Sequence, residues 1–257
     1  MINKIGQTQY KPQTPDNKNK SGLNYKQKAI IGASSVAGIA PVFAVLAKRK
    51  GFSLNPAKII KTPIKDMAIF KYSPENKVID FGNPKAIIAT AIGSVAGGFI
   101  GGAIVDPQNI KAKKREILSQ LLGNVLVPVS TVYLGSVLFN KHQDSIENAM
   151  PQIKSASKTV GKINTFIRKL PQIGATITLL GIGIYLGNKV SNYINEKLYN
   201  KKVERNIKAT DFAPHLDDLC IAATVMNPKS SFGQKLGRII PFALIVPGYQ
   251  TGIAQDS

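Results

Sequence analysis

The chain has 257 residues, and 34 Lys and Arg against 14 Asp and Glu give it a formal net charge of +20. Disordered chains combine high charge with few apolar residues, so the 44% hydrophobic content excludes disorder of the whole chain. Cys220 is the single cysteine, which excludes a disulfide framework within the chain.

The basic charge allows a nucleic acid, an anionic membrane surface or an acidic protein as partner. Most of the positive residues are Lys, whereas specific nucleic-acid readout favours the planar fork of Arg. We therefore expect no nucleic-acid partner. The alternative explanation of the basic charge is a bias in composition that reflects no partner, because Lys, Asn and Ile are abundant throughout the chain.

Residues 1–28 are polar and basic, contain Pro12 and Pro15, and show no apolar periodicity. This composition predicts a disordered N-terminal arm.

Charged residues are excluded from four blocks of about 18–23 residues each, and this exclusion is the main signal in the sequence. Each block is long enough to cross about 30 Å of hydrocarbon as a helix, whereas a soluble helix of that length normally carries a charged face. For the first two blocks, which are rich in Ala, Gly and Ser, the alternative is a pair of buried helices in a soluble domain. The pattern predicts an all-α, multi-pass membrane protein with about four transmembrane helices, at 29–47, 86–105, 117–139 and 170–187.

Small residues recur at four-residue spacing within these blocks, which places them on one face of a helix. Such a face lets two helices approach backbone to backbone, and dispersion contact then drives association in lipid. We predict helix packing, within the chain or between copies, through a glycine zipper, whereas the alternative is that glycine is simply frequent in membrane helices. The predicted packing residues are Gly93, Gly97 and Gly101, Gly98 and Gly102, and Gly183 and Gly187, with a weaker pair at Ser34 and Gly38.

Apolar residues recur at alternating three- and four-residue spacing over 146–169, with basic residues on the opposite face. An apolar stripe under a basic face is typical of a helix that lies in the membrane interface. We expect Pro151 to begin or kink this amphipathic helix and Pro171 to separate it from the fourth block. The alternative is a helix packed on the protein's own core. The predicted lipid-headgroup residues are Lys154, Lys158, Lys162, Arg168 and Lys169.

The four blocks and the amphipathic segment make up a helical membrane domain over 29–187, which follows the N-terminal arm. Residues 188–257 form a helical stalk and a C-terminal segment after it. Val190, Ile194 and Leu198 continue a four-residue spacing, which predicts a helical stalk. The last apolar stretch, 239–254, contains Pro241 and Pro247 and is short for a span, so we expect a re-entrant or docked segment there.

The run PHLDD at 214–218 resembles the metal-binding signature of the LmbE/PIG-L family of zinc-dependent sugar deacetylases. The resemblance implies that His215 and Asp218 are zinc ligands and that Asp217 is the general base, in a large α/β domain with a second histidine motif downstream. No histidine follows Asp218 in this chain. The alternative is a short helix that begins near Pro214, with the two aspartates in its first turn. We expect no metal and no cofactor.

The four blocks contain no Asp, Glu, Lys, Arg or His, which disfavours ion-coupled transport because such transport needs charge-carrying groups in the membrane. We expect a structural or binding protein rather than an enzyme. It would be a scaffold that associates through small-residue helix faces with copies of itself or other membrane proteins, and that contacts anionic lipid through its Lys-rich flanks. The alternatives are a passive pore or channel component and, on the PHLDD run, a zinc-dependent hydrolase.

Overall fold

The computed structural model describes residues 22–67, 78, 83–155, 157–200, 207–215 and 242–255, and the secondary structure of this described part is helical, with no strand. The predicted all-α fold is confirmed, with four helices long and apolar enough to cross a membrane: Tyr25–Arg49, Pro84–Val105, Pro107–Ala149 and Lys158–Tyr199. The elements are α1 (Tyr25–Arg49), α2 (Pro56–Lys61), α3 (Pro84–Val105), α4 (Ile110–Leu118), a π-helical segment (Ser119–Leu126), α5 (Val127–Ala149), α6 (Lys158–Tyr199) and α7 (Val246–Ile253). Short 3₁₀ helices cover Ile64–Asp66, Pro107–Asn109 and Ala209–His215.

Asparagine side chains fix where three of these helices begin. The Asn24 side chain accepts a hydrogen bond from the Gln27 amide, and the Gln27 side chain accepts one from the Asn24 amide, which completes a capping box. The Asn55 and Asn83 side chains each accept a hydrogen bond from the amide two residues later at the start of α2 and α3, and each is followed by a proline at the first helical position. Helix α1 therefore begins at Tyr25, so the predicted arm over 1–28 is too long at its C-terminal end. Residues 1–21 lie outside the described part of the chain.

The long helices form two antiparallel pairs. Helix α1 packs along α3, with its start tied to the end of α3 by a 3.0 Å hydrogen bond from Gln27 Nε2 to the Val105 carbonyl oxygen. Helix α6 packs along α5 and the π-helical segment. The pairs meet at a small core in which α3, the α5 region and the C-terminal segment contribute Ala86, Ile87, Ala91, Val125, Val129 and Leu244.

Helix α7 is short and docks against α3. Ser94, in the middle of α3, donates a 3.1 Å hydrogen bond to the Ile245 carbonyl oxygen and accepts one of 3.2 Å from the Gly248 amide. At the other end of α7, Lys113 Nζ donates a 2.9 Å hydrogen bond to the Ala254 carbonyl oxygen. With 8 residues against the 22 of α3, α7 covers only part of that helix. Residues 239–241 of the apolar stretch 239–254 lie outside the described part of the chain.

The amphipathic segment 146–169 is not one helix, contrary to the prediction. Helix α5 ends at Ala149, residues 151–155 are non-helical, and α6 begins only at Lys158. Pro151 explains the break, because proline disfavours helical conformation in the residue before it and lacks an amide hydrogen.

Pro171 does not separate the amphipathic region from the fourth block, as had been expected, but lies inside the continuous helix α6. Contacts on both sides of Pro171 hold α6 against α5: an ion pair joins Lys169 to Glu147, and Leu179 packs over Gly135. Packing against a neighbouring helix lets a long apolar helix tolerate an internal proline.

Candidate functional site

The predicted glycine face of α3 lies directly against α1. A Cβ added to Gly97 would overlap the carbonyl oxygen of Ser34, and one added to Gly93 would lie 2.6 Å from the carbonyl oxygen of Gly38. A Cβ added to Gly101 would lie 2.6 Å from Ser34 Cβ. The two backbones thus approach to a distance that no larger residue permits.

The neighbouring face of α3 contacts α7 rather than α1. A Cβ on Gly98 would overlap the carbonyl oxygen of Gly248, and one on Gly102 would lie 2.5 Å from that of Gly252. Sequence reasoning identified the α3 glycines but missed their partners, although Gly248 and Gly252 have the same four-residue spacing. The signal was overlooked because the stretch around them is short and contains two prolines.

The third close approach joins α6 to the π-helical segment and α5. A Cβ on Gly183 would lie 2.6 Å from Pro128 Cα, and one on Gly187 would lie 2.5 Å from the Gly123 carbonyl oxygen. All seven predicted packing glycines therefore lie at helix contacts within one chain. Association between copies through them stays a prediction.

A buried ion pair closes the end of the bundle where α3 meets α4. Lys113 Nζ lies 2.8 Å from Asp106 Oδ2, and the two side chains are 0% and 3% exposed. Burial alone would raise the pKa of Asp106, but hydrogen bonds from Lys113, Asn109 and Gln255 outweigh it and lower that pKa below its ordinary value of 3.8. Gln255 also accepts a hydrogen bond from the Gly22 amide, so this end of the bundle joins segments from both ends of the described chain.

The π-helical segment carries a second buried polar cluster. Asn124 Nδ2 donates to Gln120 Oε1 at 3.0 Å and to Asp211 Oδ1 at 2.9 Å, whereas its Oδ1 atom is buried without a hydrogen bond. His215 Nε2 lies 2.7 Å from the carbonyl oxygen of Asn124. A carbonyl only accepts hydrogen bonds, so this ring nitrogen carries the proton. Together these bonds hold the 3₁₀ helix Ala209–His215 against the π-helical segment.

The face of α6 that packs against the π-helical segment is polar over the last three turns of the helix. Asn188, Ser191 and Asn195 are all buried, and Asn195 Nδ2 reaches Ser119 Oγ at 3.3 Å. The cluster makes this part of the bundle hydrophilic inside, next to the close approach of Gly187 and Gly123.

Of the two weak metal candidates, His215 and Asp218, the structure describes only His215. His215 is 1% exposed and points Nε2 at a backbone carbonyl, while Asp217 and Asp218 lie outside the described residues. Among the residues that the structure describes, no group of three His, Cys, Asp or Glu side chains is placed to hold a metal ion. Pro214 lies within the 3₁₀ helix Ala209–His215, and the alternative of a short helix with Asp217 and Asp218 in its first turn falls on residues outside the described part of the chain.

The predicted headgroup residues divide into two groups. Lys154, Lys158 and Lys162 are exposed. Arg168 Nη2 lies 2.6 Å from Asn148 Oδ1, and Lys169 pairs with Glu147, so these two hold the ends of α5 and α6 together. Only the first three therefore have their charge directed to the surroundings.

An apolar pocket of about 580 Å³ lies beside the second half of α1. One face of the helix lines it with Val36, Ile39, Ala40, Phe43, Ala44 and Ala47. The chain after α1 covers the opposite side with Phe52, Leu54 and Ile59, and Lys58 and Asp66 are the charged residues among its lining. Sequence reasoning did not anticipate this pocket, because it forms between the first block and a connector that carries no distinctive motif.

The chain matches no protein-family model, and neither a curated protein nor a solved structure shows significant similarity to it.

Proposed function

We propose that the protein is an integral membrane scaffold: a rigid, glycine-packed helix bundle that holds Lys-rich segments at the bilayer surface, where they contact anionic lipid headgroups. The observation that carries the proposal is the division of its helix faces. The glycine faces are closed against one another inside the chain, whereas the outward faces present large apolar side chains. Ile104 is 71% exposed, Leu138 is 63% exposed and Leu134 is 61% exposed. Exposed apolar side chains of this size are costly in water and favourable in lipid.

The occupied glycine faces also support a specific form of association. Since the small residues of α3 pack against α1 and α7, and those of α6 pack against α5 and the π-helical segment, contacts with a second copy or another membrane protein would fall on the outward apolar faces. The bundle then acts as a preformed unit.

Extraction and flotation test the proposal. We expect the full-length protein to resist carbonate, to leave membranes only with detergent, and, once reconstituted, to retain phosphatidylglycerol in preference to phosphatidylcholine. Chemical cross-linking in native membranes should capture a dimer or a complex. Release by carbonate would contradict the membrane assignment. Recovery of only the monomer after cross-linking would contradict the association.

A passive pore is the second candidate, and the buried polar cluster at the π-helical segment favours it. Asn124, Asn188 and Asn195 place amide groups between helices that are otherwise apolar. The expected result for a pore is conductance in planar bilayers that changes when Asn124 is replaced by Leu. A silent bilayer would remove this candidate and leave the scaffold.

A further inference from the structure

The apolar pocket follows α1 over a defined length. Its α1 lining runs from Val36 to Ala47, at the three- and four-residue spacing of a single helix face. Eleven steps of about 1.5 Å give a length of about 16 Å, close to half of the roughly 30 Å hydrocarbon core of a bilayer. The apolar block of α1 is bounded by Lys28 and Lys48, so its middle lies near Gly38. The pocket therefore extends from about the midplane of the span to one of its ends.

The end of the pocket is basic. Lys48, Arg49 and Lys50 directly follow Ala47, the last α1 residue of the lining, and Lys58 is a basic residue of the lining itself; all four are exposed. Asp66 is the opposing negative charge among the lining residues that the structure describes. The four basic residues outnumber Asp66, whereas most of the pocket lining is apolar.

We propose that this pocket binds one anionic phospholipid of the adjacent leaflet, with an acyl chain along the Val36–Ala47 face of α1 and the phosphate at Lys58. The proposal rests on the membrane location proposed above and adds a specific site to it. Because the pocket is about as long as one leaflet is thick, it suits an acyl chain. Its basic end favours an anionic headgroup. The volume is within the range of pockets that take small molecules.

Native mass spectrometry of the full-length protein, released from mixed phosphatidylglycerol and phosphatidylcholine micelles, tests the site. Two variants change it: Ala40→Phe fills the groove, and Lys58→Gln removes the charge that lines it. Two matched controls make the same changes nearby. Ala37 and Lys65 are exposed residues outside the pocket lining, so Ala37→Phe and Lys65→Gln alter size and charge without touching the pocket.

We expect the wild type and both controls to retain one phosphatidylglycerol. Lys58→Gln should reduce its occupancy about fivefold, the equivalent of one basic residue near an anionic surface, and Ala40→Phe should abolish it. Retention by the wild type with both variants equal to their controls would overturn the site and leave the scaffold proposal standing. Loss with Ala40→Phe alone would overturn the anionic assignment, and no lipid preference in the wild type would overturn both the site and the proposed lipid contact.

Discussion

Replacing Gly97 by Ala gives a direct test of the α1–α3 contact. The new methyl group would overlap the carbonyl oxygen of Ser34 and lie 3.0 Å from the Cα atom of Gly38. Both neighbours are backbone atoms, so the helices must separate or shift as units. Overpacking of this kind costs about 1–3 kcal/mol, whereas Ala in a helix gains about 0.5–1 kcal/mol over Gly. We therefore expect the free energy of unfolding to fall by about 1–2 kcal/mol.

Gly32→Ala is the matched control. Gly32 lies in α1 itself, and a Cβ added there meets no atom within 4 Å. The same substitution should therefore stabilise the protein by about 0.5–1 kcal/mol through helix propensity alone. SDS titration in mixed micelles, followed by far-ultraviolet circular dichroism, measures both changes. Equal stability of the two variants would refute the argument that backbone contact between α1 and α3 requires glycine.

Three further predictions concern the buried polar groups. Lys113→Met should destabilise the protein by about 3–5 kcal/mol in the same SDS titration because it leaves Asp106 buried without its cation, and the double variant with Asp106→Asn should recover much of that loss. Because the pKa of Asp106 is depressed in the folded state, its contribution is fully present above pH 3.8 and is lost as the pH falls through the lower folded-state pKa; melting temperatures should therefore drop below about pH 4, and less so in Asp106→Asn. His215→Phe should increase proteolysis between α6 and α7, because it removes the hydrogen bond to Asn124, and unchanged cleavage would contradict that role.

The four long helices were predictable because the requirement that defines them is local. A helix that crosses hydrocarbon must exclude charge at nearly every position, so the pattern shows in each block by itself. The block boundaries were predicted less well. The third helix begins at Pro107, ahead of the apolar block, because a helix continues into water as long as its backbone is not broken.

The partners of the glycine faces could not be predicted from the sequence. Glycine spacing shows that a close approach is permitted, but the spacing is the same for a contact within the chain and for one between copies. Gly98 and Gly102 meet α7: the sequence predicted a re-entrant or docked segment over 239–254, but not which helix face would receive it. Lys113 illustrates the same limit for charge, since it reads as one of several basic residues in a connector and only the fold brings it to Asp106.

Glycine faces alone do not determine the register of the helices, whereas the buried polar groups do. Because Gly93, Gly97 and Gly101 repeat every four residues, sliding α1 by one repeat, about 6 Å, would again set glycine against glycine. Such a slide would separate Gln27 from the Val105 carbonyl oxygen, now 3.0 Å away, far beyond hydrogen-bond range. Ser94 fixes α7 against α3 in the same way through its bond to Ile245. Close packing thus supplies the contact area, and the directional hydrogen bonds select one alignment. Removing one of these polar side chains should therefore allow more than one helix register before the helices separate.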